Sequence, residues 1–233
     1  MPMLVPAVRT GLAAGVAAAV PMAVATFPFG LAYGVGVTAA GIDPWAGAAA
    51  SWTVLAGAAQ LSMLSLIERD ASWVVIVAAA LVINLRFALY SVALAPAFRP
   101  FPARWRVGLP YLMTDQTAAL SMRFFGDERD PVVRRWFFLG AGLGIAVVWW
   151  VGTIVGLTLG AAIPSSIDIA FTVPLVFVVL VVPTLVDAPA LTAAVAGGGV
   201  ALASAGLPNG LNILAGAAAG VVAGAIVDRW RPV

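Results

Sequence analysis

Stretches of roughly 20 or more apolar residues, long enough to carry a helix across a hydrocarbon core about 30 Å thick, follow one another along this chain. Turn residues and charges separate them. The first covers residues 12–40 and stops at Gly41-Ile42-Asp43-Pro44; the second, 45–67, ends on Glu68-Arg69-Asp70. The third, 73–95, stops at Pro96, and a basic linker at 99–106 leads into a less hydrophobic stretch at 108–125. A linker over 126–135 holds six charges and divides the chain in two. Beyond it, apolar stretches at 136–163, 169–186, 190–205 and 211–227 repeat the layout before a basic tail at 228–233. The alternating segments of about ten residues that mark a membrane β-barrel are not seen. A bilayer leaves only helices and closed barrels able to satisfy every backbone group, so the pattern predicts an all-α membrane protein forming one transmembrane domain over residues 1–233.

The stretch at 108–125 sets the helix count. If it crosses, there are eight transmembrane helices with both ends cytoplasmic, and Arg99, Arg104 and Arg106 lie outside. If it dips in and returns, there are seven, the N-terminus is external, and Arg9 and Arg69 are the external pair. The positive-inside rule barely separates the two layouts. Asp115 and Arg123 make the segment a poor lipid-facing span, so it is expected inside the bundle or along a cavity. The two halves, 10–125 and 134–229, suggest an internal repeat: Gly30-Leu31-Ala32-Tyr33-Gly34 and Gly152-Thr153-Ile154-Val155-Gly156 share GxxxG spacing 122 positions apart. Repeats of this kind in transporters place the substrate path between the halves, near the midplane.

Composition agrees with the pattern. Of 233 residues, 63% are hydrophobic and 9% charged, against about a quarter charged in soluble domains; the mean hydropathy is +1.06. The first apolar stretch, basic at Arg9, continues past Pro28 and reads as a retained span and not a cleaved signal peptide. All twelve basic residues are arginines, placed mainly in loops where they orient the chain. With no aromatic-interleaved basic stripe, the net charge of +2 does not point to nucleic acid. The chain has no His, Cys or Lys. A usual zinc site, a Ser-His triad, a thiol nucleophile, a Schiff base and a P-loop are therefore all excluded. No metal and no cofactor are expected, and an enzyme reading would need paired carboxylates where only Asp115 lies deep.

An ionisable residue inside a span is a candidate for function. Arg86 sits about ten residues from Pro96, too deep for easy snorkelling. Asn84 is two positions before it, and Tyr90 lies one turn on along the same face. Asp115 and Gln116 fall in the uncertain stretch, and Gln60 lies deep in the second span. Arg86 and Asp115 form either a structural ion pair or two poles of a substrate cavity. In the second case Arg86 takes a carboxylate through its fork of donors, and Asp115 takes an amino group or a coupling proton. Gln60 and Asn84 serve either interhelical hydrogen bonding or substrate contact. Pro28-Phe29-Gly30 permits either an unwound turn with free backbone groups or a packing kink; Pro174 and Pro183 occupy the corresponding part of the second half. The glycine runs, Gly216, Gly220 and Gly224 among them, read as close-packing faces.

The ordered set of Pro28-Phe29-Gly30-Leu31-Ala32-Tyr33-Gly34, Ser51-Trp52 with Leu55-Ala56-Gly57-Ala58-Ala59-Gln60, Asn84-Leu85-Arg86-Phe87-Ala88-Leu89-Tyr90-Ser91, and Thr114-Asp115-Gln116 resembles the AzlC family across nearly the whole chain. That family comprises the large subunits of bacterial branched-chain amino acid exporters. The resemblance implies a secondary transporter in the bacterial cytoplasmic membrane that exports valine, leucine and isoleucine with a small AzlD-like membrane subunit. Many relatives carry His immediately after the motif arginine, where this chain has Phe87, so a relay through that His is absent. Two other classes remain: a non-transporting membrane scaffold, and a permease component of an ATP-driven system.

Overall fold

The computed structural model describes residues 4–162, 185–207 and 211–230. Nine α-helices and one 3₁₀ turn account for the regular structure among them, and no strand occurs there. Helix α1 spans Leu4–Ala39, α2 Pro44–Thr53, α3 Gly57–Ile67, and α4 Trp73–Phe98. Then come α5 at Ala103–Gly108, the 3₁₀ turn Leu109–Leu112, α6 at Asp115–Asp127, and α7 at Pro131–Ala162. Helices α8 (Ala188–Ala203) and α9 (Leu211–Arg229) complete the described chain. Four of these, α1, α4, α7 and α9, are long and apolar enough to cross a membrane. The span expected at 169–186, with Pro174 and Pro183, lies almost wholly outside the described residues.

The core is built on α1 and α7, which pack along their full length. The contacts advance in the same direction on both: Gly11 lies against Val133, Gly15 against Phe137 and Ala141, Gly30 against Trp149 and Thr153, and Gly34 against Thr153 and Leu157. The two helices are therefore parallel. The paired GxxxG motifs meet here: a side chain at Gly34 would overlap the Thr153 carbonyl, and one at Gly156 the Leu31 carbonyl. Only glycine lets two backbones approach so closely, and in lipid this dispersion packing replaces the hydrophobic effect as the force between helices. Around the pair lie Phe138, Ile145, Leu61 and Val37, all fully buried. Helices α8 and α9 repeat the device, with Gly197 against Gly216 and Gly220 against Ala193.

One expectation is corrected. The unwound turn allowed at Pro28-Phe29-Gly30 does not form, because α1 runs unbroken through both Pro21 and Pro28. Contact with α7 on either side of Pro28 holds the helix together despite the missing amide. The interruption falls in the second apolar stretch instead, at Val54-Leu55-Ala56, between α2 and α3. No proline marks it; tertiary contacts make it. The Ser51 carbonyl accepts from Trp150 Nε1 at 3.3 Å, and the Trp52 carbonyl accepts from the Tyr111 hydroxyl. Side-chain donors thus take carbonyls that would otherwise bond the next turn of helix. At the other end Asp43 caps α2, its carboxylate accepting from the Ala46 amide at 3.0 Å, with Pro44 in the first turn.

The stretch at 108–125 is also broken. After the 3₁₀ turn the chain is extended at Met113 and Thr114, and α6 begins at Asp115. The Thr114 hydroxyl accepts from the Thr117 amide at 3.2 Å, a side-chain cap that starts a new helix there. At the far end Arg134 of α7 donates to the Phe125 and Glu128 carbonyls at 2.8 and 2.7 Å, closing the C-terminus of α6.

Candidate functional site

The two helix breaks converge on one cleft. Its volume is about 260 Å³, and Ala56, Gly57 and Ala58 from the first break line it together with Thr114, Asp115 and Gln116 from the second. Arg86 and Phe87 of α4 complete the polar end. The remaining wall is apolar: Phe29 from α1, Leu55 and Leu61, and Ile145 and Trp149 from α7. The volume falls just below the roughly 300–1,000 Å³ usual for small-molecule pockets, so the cleft suits a compact ligand.

Arg86 and Asp115 are the charged pair of this cleft, with Arg86 Nη1 2.7 Å from Asp115 Oδ2. The Tyr90 hydroxyl donates to the other carboxylate oxygen at 2.9 Å. The pair is not sealed: the side chains remain 28% and 39% exposed, so a ligand entering the cleft reaches both charges. Arg86 Nε is buried with no hydrogen-bond partner, leaving the guanidinium with an unused donor. Position follows from sequence: Arg86 lies near the middle of the 26-residue α4, and Asp115 is the first residue of α6. A carboxylate in a first helical turn is stabilised by the helix dipole.

The second electrostatic feature is the start of α3. The amides of a first helical turn lack intrahelical acceptors, and no side chain caps them here. Their residues line the cleft, so this helix start faces the ligand space with its partial positive charge. The start of α6 differs, being capped by Thr114 and neutralised by Asp115. The cleft thus carries groups suited to an anion and a carboxylate suited to a cation, beside an apolar wall.

Trp149 holds that wall in place. Its Nε1 donates to Ser51 Oγ at 2.8 Å, and Ser51 Oγ lies 3.0 Å from Thr153 Oγ1. The indole rests on Gly57, where an added Cβ would lie 2.7 Å from the ring. A glycine at the first position of α3 is therefore needed for the tryptophan to reach the break.

The residues expected at a site divide by place. Arg86, Asp115 and Gln116 meet in the cleft, and Tyr90 joins through its bond to Asp115. Asn84 lines an adjoining cavity, and its Oδ1 is buried without a partner. Gln60 faces away, into a separate cavity of about 270 Å³ shared with Tyr33 and Gly47. Its carboxamide lies beside the Tyr33 hydroxyl there, which itself donates to the Gly47 carbonyl at 3.1 Å. Pro28 and Gly30 flank Phe29, whose ring lines the cleft, and Gly30 itself packs on the α7 backbone. Thr26, Ile145 and Trp149 were not anticipated; they are ordinary span residues whose role depends on the α1–α7 register.

A model of a protein family described as AzlC protein matches residues 21–163, the part of the chain that carries both breaks and the cleft. A protein of Archaeoglobus fulgidus described as an uncharacterized membrane protein is 29% identical over 216 residues, spanning 90% of each chain. No solved structure matches.

Proposed function

The chain belongs to the AzlC family, and from that premise we propose that it is a secondary transporter exporting branched-chain amino acids across the bacterial cytoplasmic membrane. The observation that carries this reading is the cleft itself, where opposite charges from Arg86 and Asp115 stand beside a wall of Phe29, Leu61, Ile145 and Trp149. A free amino acid with an aliphatic side chain has the same three parts. Its carboxylate is received by Arg86 and the uncapped start of α3, its ammonium by Asp115, and its side chain by the apolar wall. Half-helices whose N-termini face an anionic substrate group are a recurrent transporter device. Gln116 lines the same cleft and adds a carboxamide to the polar end.

The parallel packing of α1 and α7 bears on topology, since it requires an odd number of crossings between them. With α4 crossing, the broken segments 44–67 and 103–127 must both cross or both return. We favour crossing for both, which gives the layout of eight membrane segments with both ends cytoplasmic. Alternating access then consists of the two halves rocking about the cleft. A small AzlD-like subunit completes the transporter, and Asp115, the one carboxylate lining the cleft among the described residues, is the place for a coupling proton.

The test is internal valine in cells fed valine-containing dipeptides, with and without this chain and its small partner. Export lowers the internal pool when both are present; an unchanged pool would count against the reading. The competing reading is a scaffold in which Arg86 and Asp115 only hold each other, and their mutual 2.7 Å contact favours it. Exchanging the two residues would then preserve function, whereas the transporter reading expects loss.

A further inference from the structure

The cleft does not stand alone. It shares Leu55, Ala56 and Phe87 with a second cavity of about 380 Å³. That cavity in turn shares Ser91, Pro110 and Met113 with a third, of about 330 Å³, whose lining includes Arg99 and Arg106. The three lie in series along α4. At 1.5 Å per residue, Arg99 is about 20 Å beyond Arg86 along the helix axis, more than half of a hydrocarbon core about 30 Å thick. With Arg86 near the middle of α4, the far end of the series therefore reaches the membrane surface.

We infer that these cavities form one arm of the translocation route, with Phe87 as the gate at its first step and Arg99 and Arg106 as its charged mouth. The inference rests on the transporter reading above and adds the path, the gate and the mouth to it. Three observations support it independently of the family. Two of the three residues shared by the first two cavities, Leu55 and Ala56, sit in the break between α2 and α3. Asn84 Oδ1, buried and without a partner among the described residues, lines the cavity just beyond the gate. An orphaned acceptor costs free energy unless something donates to it, and an ammonium group passing the gate is such a donor. Neither Arg99 nor Arg106 makes an ion pair among the described residues, so both are open to a carboxylate at the mouth. The Phe87 ring also lies 5.3 Å from the Arg86 guanidinium and 6.2 Å from the Tyr90 ring. A ligand that draws Arg86 away from Asp115 therefore alters the seat of the gate, which couples occupancy to opening.

The chain contains no cysteine, so single cysteines can be placed in the natural background. The experiment uses the chain with its small partner in proteoliposomes and a membrane-impermeant cationic methanethiosulfonate applied to each side in turn. Only a hydrated thiol ionises and reacts. Ser91→Cys should react from the mouth side at least about 10-fold faster than Leu89→Cys, which sits within about 3 Å of the same depth on the outward face of α4. Ala56→Cys should react slowly, and several-fold faster when combined with Phe87→Ala; Phe87→Leu serves if the alanine variant does not purify as a single species. Ser91→Cys as inert as Leu89→Cys would overturn the route. An Ala56→Cys rate unmoved by shortening Phe87 would overturn the gate. Valine exchange on the same vesicles keeps the two readings apart. Labelling as expected without exchange upholds the route and sinks the substrate assignment, and exchange with inert Ser91→Cys does the reverse.

Discussion

Replacing Asp115 by Asn removes one charge from the cleft and little else. The carboxamide keeps the size of the side chain and retains an oxygen to accept from Tyr90, so packing and the 2.9 Å hydroxyl contact survive. What is lost is the counter-ion of Arg86. Removing one partner of a fully buried pair costs about 3–5 kcal/mol. The exposure of 28% and 39% lets water screen the remaining guanidinium, so the cost here is roughly 1–3 kcal/mol. Arg86→Gln should cost a similar amount. The double variant Arg86→Gln/Asp115→Asn leaves no unpaired charge and should recover to within about 1 kcal/mol of the parent, the coupling expected of two side chains in direct contact. Thermal unfolding of the chain purified with the proposed small subunit reads these values, at about 2–4 °C per kcal/mol for a chain of this size. Transport should behave differently. A charge-assisted hydrogen bond to the substrate is worth about 1.5–3 kcal/mol, or about 10- to 100-fold in binding, and the double variant cannot restore it. If the double variant regained transport together with stability, the pair would be structural and the cleft would lose its assigned role. A single variant with unchanged melting would refute the ion-pair accounting itself.

Three further outcomes follow from the same geometry. Trp149→Phe removes the donor to Ser51 Oγ, and a net loss of about 1 kcal/mol is expected with a change in the valine-to-methionine preference measured by competition. Thr114→Ala removes the cap of α6 and should cost about 0.5–2 kcal/mol in melting while loosening Asp115, seen as a raised KM. Gly34→Leu places a side chain on the Thr153 carbonyl and should prevent assembly of a folded transporter, whereas Gly198→Leu, where nothing lies within 4 Å, should be tolerated; detergent size-exclusion profiles distinguish the two.

The membrane class was legible from apolar run length, and Arg86 and Asp115 stood out because ionisable residues are costly in a bilayer. Their contact confirms them as a pair, while the ligand role stays with the proposal. The helix breaks were not legible. Pro28 allowed either a break or a kink, and α1 runs through it as unbroken helix, packed on α7 at either side. The segment 54–56 looked like ordinary helix and is interrupted, because Trp150 and Tyr111 reach it from distant parts of the chain. Local propensity carries no record of such donors. The glycine pairs Gly30/Gly34 and Gly152/Gly156 were read as equivalent positions of two halves; the structure places them against each other, with the 122-residue offset appearing as the register of parallel packing. The separation of Gln60 from the cleft was equally hidden, because the motif that contains it straddles the break and its two ends face different cavities.

The proposed occupant of the cleft is a zwitterion with an aliphatic side chain. Exchange of labelled L-valine against internal L-valine, in proteoliposomes containing this chain and the proposed small subunit, reads its binding and passage. Leucine and isoleucine should compete, while isobutylamine and isovalerate, each lacking one of the two charged groups, should not. Absence of exchange, or competition by either truncated analogue as strong as by leucine, would contradict the assignment of Arg86 and Asp115 to the two charged groups of one substrate.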